Sequence, residues 1–168
     1  MIRKMIVTGC MAAVVLGTAD QAMAHFGMVI PSENIVTQQK KSVELQLSFS
    51  HPFEGHGMDL VTPEKFYVIK DGKETNLLDS LTKSMVMDHK AWQTSYQVKR
   101  PGVYHFAMEP KPYWEPSEDV AIIHYTKTIV AAFGGDEGWD EPIGYPPRSF
   151  LFSDPLGIMQ VIPSLGRC

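Results

Sequence analysis

Cysteine is almost missing from this chain: only Cys10 and Cys168 occur, and they form neither a close pair nor part of a metal-binding Cys motif. The fold therefore has to rest on an apolar core. Helical periodicity is missing as well. Beyond the first two dozen residues, no stretch of ten or more repeats apolar positions three and four apart. Positive charge is not in surplus, since Asp and Glu outnumber Lys and Arg by 19 to 15. That balance argues against nucleic acid or an anionic membrane surface as partner. No Ser/His/Asp order, nucleophile elbow, phosphate loop or Cys-pair motif is present. Nothing supports nucleophilic catalysis, and the chain is read as a non-enzyme.

The one long apolar run lies at the N-terminus. Arg3 and Lys4 precede an apolar segment over 5–16, and Ala22-Met23-Ala24 is a small-x-small junction. These are the three parts of a secretory signal, so residues 1–24 are expected to be a signal peptide cleaved after Ala24. The run is too short to cross a bilayer as a stable helix. Val7-Thr8-Gly9-Cys10 superficially resembles a lipoprotein box, but almost no apolar segment precedes it, and no lipid anchor is expected. The exported product would be residues 25–168, with 13 basic and 18 acidic side chains and all six histidines. Cys10 leaves with the signal, which rules out an intrachain disulfide.

What remains reads as strands. Val43, Leu45, Leu47 and Phe49 alternate with Glu44, Gln46 and Ser48 over 41–49, one face for a core and the other for solvent. Residues 65–70 form a second run, closed by the hairpin signal Asp71-Gly72. Residues 77–81 are either its return strand or a short irregular connection. Further strands are expected over 26–30, 91–98 (Trp92, Thr94, Tyr96 and Val98 on one face), 103–108 and 121–132, the last a β-branched run suited to a central position. About seven short strands with turn signals every eight to twelve residues point to an antiparallel, immunoglobulin-like β-sandwich over 25–144.

The chemistry gathers in His51-Pro52-Phe53-Glu54-Gly55-His56-Gly57-Met58-Asp59. Two imidazoles, two carboxylates and a thioether fall within nine residues, broken by Pro and Gly that permit tight backbone geometry. Imidazole suits nickel, cobalt, copper and zinc, and thioether suits soft copper. The competing reading is an ordinary polar turn. His25 adds weight to the ligand reading. As the first residue of the exported chain it would offer an α-amine and Nδ1 to one ion, and that amine deprotonates near neutral pH. The expected ligands are His25, His51 and His56, with Glu54 as a weak ligand or as an acceptor that orients an imidazole. His105 and His124 fall inside strands, where a histidine is usually structural. His89, Met85 and Met87 are assigned to solvent or packing, and Asp136, Glu137, Asp140 and Glu141 to an acidic solvated turn.

Several strings resemble a known family of exported proteins associated with periplasmic nickel transport, otherwise a domain of unknown function. They are Ala24-His25-Phe26-Gly27-Met28-Val29-Ile30-Pro31-Ser32, Ser50-His51-Pro52-Phe53-Glu54, Pro112-Tyr113-Trp114-Glu115-Pro116, Ile123-His124-Tyr125-Thr126-Lys127 and Gly138-Trp139-Asp140-Glu141-Pro142. The resemblance implies an immunoglobulin-like sandwich in the periplasm. It also implies a link to a nickel or cobalt uptake system in which a membrane permease does the transport. His25, His51, Glu54 and His124 fall on matching positions, whereas His56 belongs to this chain alone. The expectation is a divalent-metal-binding accessory protein that captures or presents the ion, nickel favoured and cobalt or copper possible. Two rivals stand beside it: a copper carrier or oxidative enzyme with an N-terminal His chelate, and a plain interaction module.

After Gly144 the resemblance stops. Residues 147–155 can be encoded by codons that spell the family pattern two bases on, which points to a frame shift or truncation there. Pro146, Pro147, Pro155, Gly157, Pro163 and Gly166 punctuate the tail. Residues 145–168 are therefore expected to be poorly packed and to add no strand in register.

Overall fold

The structure is a computed structural model describing residues 26–52, 55–115 and 120–142, together with the backbone of Leu151–Ser153 and Met159–Val161. The strands in chain order are β1 (Phe26–Pro31), β2 (Ile35–Val36), β3 (Ser42–His51), β4 (His56–Met58), β5 (Lys65–Lys70), β6 (Lys73–Asn76), β7 (Thr82–Val86), β8 (His89–Gln97), β9 (Gly102–Glu109), β10 (Tyr113–Glu115), β11 (Val120–Ile122), β12 (His124–Ala132), β13 (Leu151–Ser153) and β14 (Met159–Val161). The helical content among the described residues is one 3-10 turn, Leu78–Ser80. It settles residues 77–81 as a connection; the return strand of the Asp71-Gly72 hairpin is β6.

Two sheets make the sandwich. The first runs β1-β3-β8-β7, with β4 added to the end of β3; the second runs β14-β12-β9-β5-β6, with β13 outside β14. Alternation explains both. Val43, Leu45, Leu47 and Phe49 point inward from β3, and Phe66 and Val68 from β5, Tyr104, Phe106 and Met108 from β9 and Val130 and Ala132 from β12 meet them in one core. Leu45, Leu47, Phe66, Phe106 and Met108 are fully buried, each worth about 1.5–3 kcal/mol in apolar surface removed from water. Trp92 and Tyr96 pack on the same core from β8.

The all-β sandwich expected from the pattern is what forms, with more strands than the seven expected. The additions are short: β2, β4, β6, β7, β10 and β11 span two to five residues. The run 121–132 is also broken at Ile123, so that β11 pairs back on β10 and only β12 enters the second sheet. In the tail, β13 and β14 pair with each other, and β14 pairs with the start of β12 through His124↔Gln160 and Tyr125↔Met159. The expectation of no strand there is corrected. Pro155 and Gly157 fall in sequence between the two strands rather than inside them.

One edge of β12 is divided. β14 pairs with its first two residues, and β2 runs parallel to its last two, Ala131 and Ala132. Among the described residues no strand pairs with Thr126–Val130 on that side; β1 passes against it instead, and the Thr126 hydroxyl donates to the Gly27 carbonyl at 2.7 Å.

Candidate functional site

Strand β3 carries its core residues down to Phe49 and ends two residues later at His51. Side chains two apart on a strand share a face, so His51 lies on the core-facing side where the core gives out. Gly55, just before the return strand, has φ 69, a left-handed conformation that glycine enters without a Cβ penalty. The chain returns as β4, with His56 opposite His51, Gly57 opposite Ser50 and Met58 opposite Phe49. Opposed residues of an antiparallel pair project to one face with Cβ atoms about 4.5–5.5 Å apart. Half-buried His51 and exposed His56 thus form a polar step. Phe49 and Met58, packed with the core, form the step beneath.

On the other side of β3, β1 pairs Phe26 with Ser50 and Gly27 with Phe49. The Phe26 ring centroid lies 6.0 Å from that of His51. Gly27 matters because the second sheet comes close. A Cβ there would sit 3.3 Å from Met108 Cε, 3.4 Å from Thr126 Oγ1 and 3.6 Å from His124 Cβ. His124 itself is only 4% exposed. Its Nε2 lies 3.2 Å from the Tyr113 hydroxyl, and the two rings stack at 5.4 Å. Phe49 meets Tyr113 edge-on at 4.9 Å and lies 6.0 Å from His124. An aromatic floor therefore backs the histidine step.

His89, from the hairpin between β7 and β8, lies against the opposite face of β4, its Cδ2 2.6 Å from where a Cβ on Gly57 would sit. The hairpin's turn residues, Met87 and Asp88, both have positive φ, at 49 and 62, a conformation uncommon for non-glycine residues. Asp59 Oδ1 accepts the Lys90 N–H at 3.0 Å and lies 3.4 Å from His89 Nδ1. The Lys90 N–H, first among several contacts, holds the Asp59 carboxyl below its ordinary value. The Leu60 N–H donates to the Lys90 carbonyl at 2.9 Å, and Trp92 Nε1 donates to the Leu60 carbonyl at 3.0 Å. These bonds pin the end of the 51–59 loop to β8. The pairing of His89 with Asp59 has no signal in the sequence, because the two stand far apart along the chain.

His105 is at the opposite end of the second sheet. Its Nε2 lies 3.0 Å from the Gly138 carbonyl; a carbonyl only accepts, so Nε2 carries the proton. Burial is the main influence on this imidazole and holds it below its ordinary value. The ring lines a cavity of about 550 Å³ with Lys70, Asp71, Asp136, Glu137 and Glu141. None of the expected ligands lies there. The four acidic residues of that turn are exposed, as expected.

Of the expected ligands, the structure pairs His51 with His56 across β3 and β4; His25 and Glu54 lie outside the described residues. Among the described residues, no three His, Cys, Asp or Glu side chains converge in a group that could hold a metal. Two imidazoles on one step fall short of such a group.

Fold and site together define an antiparallel β-sandwich with a histidine-bearing rim at one end. The chain belongs to the family described as Domain of unknown function (DUF4198), whose model matches residues 22–156, running past Gly144 into the tail. No curated protein matches the chain.

Proposed function

We propose that the protein is a periplasmic divalent-metal-binding accessory of a nickel or cobalt uptake system, capturing the ion or presenting it to a membrane permease. The observation that carries the reading is strand register. His51 and His56 oppose each other on β3 and β4, and on the other side of β3 the paired strand opens with Phe26 opposite Ser50. In the sequence His25 directly precedes Phe26, which makes it the candidate for a third imidazole. A chain beginning at His25 would add its α-amine to the set. The sequence strings that resemble a nickel-transport family favour nickel as the cargo.

A copper reading has its own support in Met58, half-buried in the step below His56. Thioether suits soft copper, and copper outranks nickel in raw affinity for nitrogen sites. The test is calorimetric titration of nickel, cobalt and copper into protein beginning at His25 and into a version with one extra N-terminal Ala. The extension is expected to weaken binding at least tenfold, about 1.4 kcal/mol. Equal affinities would remove the amine from the site, and the order of the three metals decides between the readings.

A further inference from the structure

We propose that the cavity lined by His105 and by Asp136, Glu137 and Glu141 binds a small aliphatic di- or polyamine. The inference is independent of the metal-binding reading, because none of the histidines of that reading lines this cavity. Its volume of about 550 Å³ lies within the range of about 300–1,000 Å³ usual for small-molecule sites. Its charge is one-sided. Lys70 is paired with Asp71 and lies 5.6 Å from the Tyr104 ring centroid, so its charge is already answered. Asp136, Glu137 and Glu141 have no ion-pair partner among the described residues. Lys127 Nζ meets the Glu141 backbone carbonyl, at 3.4 Å, rather than its carboxylate. Three carboxylates are thus left over on one concave surface.

The turn that carries them is fastened to the sheet. Gly135 packs so closely on the start of β9 that a Cβ there would meet the Gly102 Cα at 2.2 Å. The His105 Nε2–H and the Glu141 N–H both donate to the Gly138 carbonyl, at 3.0 and 3.3 Å. His105 is also a second, separate pointer to a ligand. It is 6% exposed and lines the cavity, and its Nδ1 has no hydrogen-bond partner among the described residues. With the proton on Nε2, Nδ1 is a lone pair in a cavity-lining ring, and an ammonium N–H is the donor it lacks.

The spacing selects the kind of cation. Among the described residues, no three His, Cys, Asp or Glu side chains group closely enough to hold a metal ion. Carboxylates spread along a cavity suit a ligand whose charges are spread as well, each ammonium taking its own charge-assisted hydrogen bond. The methylenes between those charges match Ile69 and Val103, the apolar part of the lining.

Calorimetry on the chain beginning at His25, at low ionic strength where such contacts are least screened, compares putrescine and spermidine with butylamine and magnesium. Both polyamines are expected to bind saturably, one per chain, and butylamine about tenfold more weakly. Glu137→Gln and Glu141→Gln should each weaken putrescine binding severalfold, and together about tenfold, while His51→Gln matches wild type. The proposal is overturned if the polyamines do not saturate, if the double variant binds putrescine as wild type does, or if magnesium at equal concentration displaces it. Should the double variant fail to fold, Asp136→Asn decides: weaker putrescine binding supports the proposal, and unchanged affinity overturns it.

Discussion

Replacing His105 with Phe should remove a pH dependence of stability that the native fold carries. The native ring is 6% exposed, gives Nε2–H to the Gly138 carbonyl, and buries Nδ1 with no hydrogen-bond partner among the described residues. Protonating it would place a charge and an unpaired donor in that interior, and burial accordingly holds its pKa below the ordinary value. The unfolded chain keeps the ordinary value, so between the two values it binds more protons than the native state. The contribution of His105 is thus fully present above about pH 6.5 and is lost as pH falls through the lowered native value, at about 1.4 kcal/mol per unit of depression. Phe fills nearly the same volume but leaves the Gly138 carbonyl without its donor, a loss of about 1 kcal/mol offset by greater apolar burial. Urea unfolding of both proteins at about pH 7.5 and pH 5 isolates the effect, since every other residue is common to both. Wild type should be the more acid-sensitive of the two, and parallel losses would refute the reasoning.

Thr126→Val should cost about 1 kcal/mol in chemical denaturation, because it deletes the 2.7 Å bond to the Gly27 carbonyl while leaving the shape of the side chain; an unchanged midpoint would show that β1 does not depend on it. Gly57→Ala should cost about 1–3 kcal/mol, since its Cβ would meet His89 Cδ2 at 2.6 Å and the Met87 carbonyl oxygen at 3.1 Å. Full stability in that variant would mean that the β7–β8 hairpin yields freely.

Legibility followed burial. Strand β3 was readable because each second residue enters the core, and Asp71-Gly72 because both positions take positive φ, at 52 and 70. The sequence Thr-Lys-Ser-Met-Val of β7 has no such contrast, since none of its side chains is buried and its place is set by pairing with β8. His51 and His56 could be picked out as neighbours in one loop, although their opposition required the hairpin register. His124 reads as an ordinary strand histidine, because Tyr113 reaches it only through the β10–β11 turn-back. His89 was assigned to solvent; the carboxylate beside its Nδ1 comes from Asp59, brought there by the docking of the 51–59 loop on β8.

The divided edge of β12 bears on how the protein avoids sticking to itself. A run of backbone amides and carbonyls with no strand beside it is a template for pairing with another chain. At Thr126, where that stretch begins, β1 packs against β12 and is tied to it through Gly27 without forming a ladder. The segment that guards the edge is also the one leading out from His25. Anything that loosens the N-terminal strand would then do two things at once: dismantle the proposed ion site and open a docking edge for a second copy of the chain.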